Sequence, residues 1–433
     1  MQATNAAPPG DAAADGAAAR RVYLRTFGCR ANQYDSDLLR ARLEGAGLTV
    51  VGSPDEADVA VFNACTVTAD AAADVRRAVR GAARANPSVR SVVMGCTTPV
   101  DRRTLRALPT LPDVVEGADV DAVAALLDLP PAPRDGVSGQ RSARGLLRVQ
   151  DGCDEHCTFC ATTVARGASR SRSAAELIEE ASRLADRHPE IGITGVHIGS
   201  YGAELGSSLG LLLQRLVDEV PGVRFRLSSL EATEVDPIIR ALMRDRPDRV
   251  APHLHAPLQS GSDRMLRRMG RHWYTARSYA AAVEALVGDR PVFGLGADVI
   301  AGFPGETEAD HDETLALVEA LPFTYLHVFP FSLRPGTPAA RLPDHVPGDV
   351  VRRRAAELRA LAERRSQAYR ASRDGQCADV VAIGAAPRRD GITEDYLSVT
   401  LADPTVPRGS RVPARLTLHE SGLVAHPLDQ DLA

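Results

Sequence analysis

The sequence predicts an α/β protein in three folded parts: an amino-terminal parallel α/β domain, a central partial (βα)6 barrel and a small carboxy-terminal antiparallel β-barrel. Three observations predict it. From Arg21 onward strand-like and helix-like runs alternate, the pattern of a parallel sheet covered by helices. Between Leu146 and Phe329 six strand candidates appear, each followed by a plausible helix, which suits an open barrel better than a closed eight-fold one. Beyond residue 372 the chain turns to short β-rich runs broken by Gly and Pro. The expected division is a disordered tail over 1–20, domains over 21–129, 144–371 and 372–433, and a linker over 130–143.

Taken in order, Val22–Phe27 reads as the first strand and ends at Gly28-Cys29. Asp35 or Ser36 then caps a helix carrying Leu38, Leu39 and Leu43, closed by Gly45 and Gly47. A second strand, Val59–Phe62, ends at Asn63-Ala64-Cys65, and a helix over Ala69–Arg84 leads to a third strand, Val92–Met94, which ends at Gly95-Cys96. Three prolines in the first four residues from Pro130 mark the linker. The six central strands are expected at Leu146–Val149, Ile193–Ile198, Val223–Ser228, His253–Leu258, Leu295–Ile300 and Tyr325–Phe329, with a charged helix over Pro347–Arg370 closing the part. In the tail, Ala378–Ala382, Tyr396–Thr400 and Arg411–Leu418 read as strands.

Composition narrows the function. An apolar fraction of 44% over 433 residues supplies cores for about three domains. All basic residues are Arg, and a net charge of −5 excludes a global polyelectrolyte binder of nucleic acid, so any RNA contact must be local. Residues 373–433 carry six Arg against nine Asp and Glu, so the better cationic candidates are Arg76, Arg80 and Arg84 and the late helix with Arg352, Arg353, Arg354, Arg359, Arg364 and Arg365. A solvated helix face explains either patch equally well. No apolar run approaches ~20 residues, so no membrane span is expected, and the first twenty residues lack a signal-peptide pattern.

Six of the seven cysteines fall into two sets. Cys153, Cys157 and Cys160, in CDEHCTFC, follow a strand at spacing CxxxCxxC. Three thiolates on one short loop can hold three irons of a cubane cluster and leave one iron open. Structural zinc ordinarily draws four Cys or His ligands from two paired motifs, and no second CxxC exists here. Cys29, Cys65 and Cys96 each fall just beyond the carboxyl end of a strand, where open α/β sheets place their ligands, and read as a second three-thiolate set. His253 and His255 alternate on a strand and read as packing or polar lining; Cys377 is isolated and reads as a core residue.

The CDEHCTFC loop, with Phe159 before its last cysteine, resembles the signature of radical S-adenosylmethionine enzymes. With TFGCRANQYDSD, NACTVT and the GC at Cys96, with RGASRSR, and with HLHAPLQSGSDRMLRRMGR, DVIAGFPGETEAD and FSLRPGTPAA in this order, the chain resembles the methylthiotransferases of that superfamily. The resemblance implies two [4Fe-4S] clusters and S-adenosyl-L-methionine. The cluster on Cys153, Cys157 and Cys160 would generate the radical, and that on Cys29, Cys65 and Cys96 would hold the sulfur inserted at a C–H carbon. It implies a radical SAM barrel, a TRAM-like tail, and cofactor contacts from Phe159, Ser229, Gln259 and Ile300, for each of which barrel core is an equal reading. NACTVT and RGASRSR are most similar to the MtaB-type members, which act on carbon 2 of threonylcarbamoyladenosine in the tRNA anticodon stem-loop. Relatives acting on isopentenyladenosine or on a ribosomal protein are the alternatives, and a non-catalytic cluster-bearing RNA-binding module is a third. A reducing donor such as flavodoxin or ferredoxin, a monomer and a cytoplasmic location are the further expectations. The chain departs from the family at Ala64, at Thr97-Thr98, at Ala161-Thr162-Thr163-Val164 and at His197, none of them a cluster ligand.

Overall fold

The structure, a computed structural model, describes residues 20–65, 69–108, 112–130, 139–288, 290–334, 336–384, 387 and 389–428. The expected tail and most of the linker therefore lie outside the described residues. The amino-terminal part is a five-stranded sheet of β1 (Arg21–Thr26), β2 (Thr49–Val51), β3 (Val59–Ala64), β4 (Arg90–Gly95) and β5 (Asp113–Val114), in the order β2-β1-β3-β4-β5. All its pairings are parallel. Its helices are α1 (Arg30–Gly45), α2 (Ala69–Ala85), α3 (Thr98–Arg106) and α4 (Val120–Leu126). Strand β3 is buried along its whole length because both faces are covered. Ala60 and Phe62 pack with Val75 and Val79 of α2, while Val59 and Val61 pack with Leu39, Leu43 and Val123 of α1 and α4.

Helix α1 begins nearly two turns before the expected cap. Cys29 is its N-cap, and Asp35 and Ser36 lie inside it, buried. Their side chains are engaged elsewhere: Asp35 pairs with Arg148 and Arg166, and Ser36 accepts from Thr26 and Asn63. Cap-type residues here serve long-range polar contacts rather than the helix end.

The central part contains β6 (Gly145–Arg148), an antiparallel pair of β7 (Gln150–Asp151) and β8 (Arg170–Ser171) flanking α5 (Thr162–Arg166), and then α6 (Ala174–Ala185). It continues with β9 (Glu190–Thr194), α7 (Leu209–Glu219), β10 (Arg224–Leu227), α8 (Pro237–Asp245), β11 (His253–His255), α9 (Asp263–Arg268), α10 (Ala276–Val287), β12 (Gly294–Ala301), α11 (Glu308–Ala320), β13 (Tyr325–Pro330) and α12 (Gly348–Ser372). Two parallel three-stranded sheets, β6-β9-β10 and β11-β12-β13, are joined by the bridges Phe225↔Val250 and Ser229↔His255. Six strands thus run side by side in chain order, and among the described residues no pairing closes β13 onto β6. Alternation assigns the faces. Leu147, Ile193, Phe225, Leu254, Ala297 and Val299 belong to the core under the helices, against which Leu326 and Val328 also pack. Arg148, Arg226, His255, Asp298 and His327 are left to line the concave face.

The carboxy-terminal part is a closed barrel of β14 (Cys377–Ala382), β15 (Asp390–Ile392), β16 (Ser398–Leu401), β17 (Arg411–His419) and β18 (Gly422–Pro427), in the order β14-β15-β16-β18-β17. It is not wholly antiparallel as expected: β16 and β18 pair in parallel, because β17 intervenes in sequence as the partner of both β14 and β18. Cys377 is exposed at the start of β14 and is not a core residue.

This barrel is fastened beneath the amino ends of the central strands. Tyr396, at φ +72°, places its ring 4.4 Å from that of His253 and 5.8 Å from that of Tyr325. The guanidiniums of Arg30, Arg144 and Arg226 lie 5.8, 5.8 and 5.3 Å from its centroid, within cation–π range, and Arg30 Nη2 bonds its hydroxyl at 2.9 Å. Alongside, Glu190 accepts from Arg224 and Arg226 at 2.8 Å, all three buried, and Arg226 continues to the carbonyls of Thr393 and Glu394.

Candidate active site

Because β1, β3 and β4 are adjacent and parallel, the residues after their carboxyl ends meet at one rim. Asn32 marks the meeting point: its Oδ1 lies 3.8 Å from the Sγ of both Cys29 and Cys96, and its Nδ2 donates to the carbonyls of Phe27 and Ala64. Gly28, at φ +99°, has no room for a Cβ, which would collide with the Cβ and Sγ of Cys65. Burial pushes the Cys96 thiol up to about 11, opposed by Arg166, with Cys29 and Cys65 close enough to raise it further. The three sulfurs are therefore electrostatic neighbours.

Arg166 comes from the central part. Its Nε donates to Cys96 Sγ at 3.2 Å, its Nη2 to Asn32 and Asp35 at 2.8 and 2.7 Å, and its Nη1 to Asp151 at 3.0 Å. Burial works against its charge, but Asp35, Cys96 and Asp151 outweigh that and hold it cationic. One buried guanidinium thus ties the amino-terminal sulfurs to the strand that leads into the second cysteine loop.

That loop is held on several sides. Cys153 N–H donates to Gly167, Thr158 N–H to Met269, and Ala339 N–H to Thr158. Main-chain N–H groups of Glu155 and Thr162 reach the sulfurs of Cys153 and Cys160 at 3.4 Å, and Arg271 Nη1 reaches Cys157 Sγ at 3.4 Å. Burial pushes the Cys157 thiol up to about 12 against the pull of Arg271, with Cys160 and Cys153 adding to the rise. Burial would discharge His197, yet hydrogen bonds to Cys153 and Glu234 carry its imidazole up to about 10. Such N–H and cationic neighbours are what three closely held thiolates require.

Arg334 stands near both sets. Half-buried Arg334 is lowered by burial and raised by both Cys65 and Cys160, one sulfur from each set. Phe159 and Ile300 join Met265, Met269, Phe303 and Ala339 in one apolar group beside the second loop. Gln259, at φ +65°, is bonded through its backbone to Asp298 and Ile300. Ser229 is exposed and bridged to His255, outside that group. Sequence reasoning missed Asn32, Arg166, Arg271 and Arg334. All four lie inside the quoted motifs, but nothing in their spacing says that they reach a sulfur. On the late helix Arg353, Arg354 and Arg364 pair with Glu308, Glu306 and Glu319, fixing α12 to α11 and its flanks. Arg76 pairs with Asp101. Among the described residues no helix is long and apolar enough to cross a membrane.

Comparison with known proteins supplies the class and then the family. Residues 147–318 match the Radical SAM superfamily, and residues 21–117 match Uncharacterized protein family UPF0004. The radical S-adenosylmethionine methyltransferase TsrM from Kitasatospora setae, solved with cobalamin and a [4Fe-4S] cluster bound, shares the fold with a TM-score of 0.57 at 16% identity. That match covers 75% of this chain and 77% of that one. The fold is therefore that of a radical SAM enzyme. The threonylcarbamoyladenosine tRNA methylthiotransferase MtaB of Thermotoga maritima is 37% identical over 371 residues, 81% of this chain and 84% of that protein. The Bacillus subtilis protein of the same name is 34% identical over 406 residues, covering 87% and 89%. The chain belongs to the MtaB family of radical SAM methylthiotransferases.

Proposed function

We propose that this protein places a methylthio group on carbon 2 of N6-threonylcarbamoyladenosine in the anticodon stem-loop of tRNA. The observation that carries the reading is Arg166, which joins Cys96 of the first set to Asp151 on the strand leading into the second, with Arg334 within electrostatic reach of Cys65 and Cys160. Cys29, Cys65 and Cys96 would hold one [4Fe-4S] cluster and Cys153, Cys157 and Cys160 the other. The donor chemistry fits: each set offers three sulfurs with a buried guanidinium beside it, Arg166 at Cys96 and Arg271 at Cys157. When bound, the clusters and S-adenosyl-L-methionine supply a 5′-deoxyadenosyl radical and the sulfur. The chain's own residues hold, orient and shield. Asn32 and Arg166 fix the first set, the N–H groups of Glu155 and Thr162 orient the second, and the apolar group of Phe159 and Ile300 excludes water. Phe159, Ile300, Gln259 and Ser229 would line the cofactor.

In this reading the working units are 21–129, 144–371 and 372–433, joined by 130–143. The enzyme acts as a cytoplasmic monomer and takes electrons from a flavodoxin- or ferredoxin-like donor. Bulk tRNA from a strain lacking the gene should lose the methylthio form of threonylcarbamoyladenosine by nucleoside mass spectrometry; unchanged tRNA would reject the substrate. Gly28→Ala is expected to displace Cys65 and cost about half of the iron after anaerobic reconstitution, since two clusters hold about eight irons. Gly45→Ala, where an added Cβ meets nothing within 4 Å, should leave the iron content unchanged.

A further inference from the structure

The concave face of the partial barrel carries a polar row that holding the clusters does not use. Tyr325 lies across Gly296, where a Cβ would strike its ring, and its hydroxyl bonds His253 Nε2 at 2.9 Å and His255 Nδ1 at 3.2 Å. His255 Nε2 continues to Asp298 Oδ1 at 3.0 Å, and the same oxygen takes His327 Nδ1 at 3.2 Å. Five side chains from three neighbouring strands thus form one hydrogen-bonded row. Its inner members are buried or nearly so, whereas the His327 side chain is 57% exposed. With Nδ1 committed to Asp298, Nε2 of His327 is the atom this row presents at its exposed end.

We propose that His327, oriented by Asp298 and His255, is a specificity-determining residue that binds the carboxylate of the substrate's amino-acid arm. The inference rests on the function proposed above. Three arguments support it. The first is position. Asp298 and Ile300 lie two residues apart on the same face of β12, a step of about 6.6 Å, and Ile300 packs in one apolar group with Phe159 of the second cysteine loop. His327 is paired with Asp298 across the strands, so the row lies one such step inward from the cysteine rim. The second is length. With ordinary bonds of about 1.3–1.5 Å, the carboxylate of an extended threonylcarbamoyl arm on N6 reaches about 7–9 Å from carbon 2 of the same ring. A base held with carbon 2 between the two cysteine sets therefore delivers its arm to this depth. The third is chemistry. Burial would raise the Asp298 carboxyl, but the two imidazoles hold it well below the usual carboxylate range, so it stays an anionic acceptor. With Nδ1–H given to Asp298, the imidazolium form of His327 presents Nε2–H, which donates to an anion through a charge-assisted hydrogen bond.

A metal is the competing occupant, since the ligand atoms of His255, Asp298 and His327 lie within 4.8 Å of one another. The contacts argue against it. Asp298 Oδ1 is already the shared acceptor of both imidazoles, so the nitrogens that face it, His255 Nε2 and His327 Nδ1, act as donors and offer no lone pair to a cation between them.

The test uses the full-length reconstituted protein and anticodon stem-loop RNAs carrying either N6-threonylcarbamoyladenosine or its methyl ester, which removes only the arm's charge. Wild type should prefer the acid in kcat/KM by about 10- to 100-fold, the size of one charge-assisted hydrogen bond. His327→Gln and His327→Ala should bring the two RNAs within about threefold by raising KM for the acid, with kcat, iron content and melting unchanged. Equal use of both RNAs by wild type, a preference retained in both variants, or a stoichiometric non-iron metal lost in His327→Ala overturns this inference alone. Wild-type activity on neither RNA overturns the proposed function and the inference with it.

Discussion

Replacing Cys29 and Cys65 together by alanine should lower the iron of the anaerobically reconstituted protein from about eight atoms per chain to about four and abolish methylthio transfer. Reductive cleavage of S-adenosylmethionine to 5′-deoxyadenosine should survive. The reason is the separateness of the two sets. The second loop hangs from the β7–β8 pair, α5 and the end of α9, and its anchors at Gly167, Met269 and Ala339 all belong to the central part. Contact with the first set runs through Arg166 and Arg334, whose side chains the double substitution leaves in place. Cys157→Ala should give the opposite result, loss of both activities with the first set's iron retained. Iron assay and chromatographic measurement of 5′-deoxyadenosine decide the matter. A double variant that still transfers the methylthio group removes the first set from the chemistry.

Glu190→Ala should destabilise the protein by about 3–5 kcal/mol, because it leaves the guanidiniums of Arg224 and Arg226 buried without their carboxylate. Thermal melting would read the loss, and faster proteolysis between α12 and β14 would locate it, since Arg224 and Arg226 reach across to Asp379, Thr393 and Glu394. Acid should act through the same carboxyl. Burial alone would raise it, but Arg226 and Arg224 hold it well below the usual carboxylate range. A depressed carboxylate contributes its stability fully above its unfolded value of about 4.3 and loses it as pH falls toward the folded value. Wild type should therefore lose stability on acidification below about pH 4, and the variant should lose less. Equal acid sensitivity would show that this carboxyl does not govern it.

Much of this architecture was legible because strand ends and alternation are local properties. The cysteines after β1, β3 and β4 could be placed on one rim before any coordinates, since parallel strands point their carboxyl ends the same way. What escaped depends on partners distant in the chain. Asp35 looks like a cap until Arg166, 131 residues away, claims it. The arginines of α12 look like a free basic face until Glu306, Glu308 and Glu319 are seen to meet them. Strands β15 and β18 were missed because neither is long or strongly periodic, and β18 is fixed by closure of the barrel. His327 sits in a run that reads as an ordinary core strand, and its exposure follows only from the barrel staying open on that side.

Tyr396 gives the tail an office of its own. Its ring packs against His253 and Tyr325 under the amino ends of the central strands, so the last sixty residues act as a stopper to the barrel there. A barrel without that stopper is a pipe, wet from both mouths. Shortening the chain at residue 372 would then let solvent reach a radical from behind, and uncoupled consumption of S-adenosylmethionine would rise as product fell.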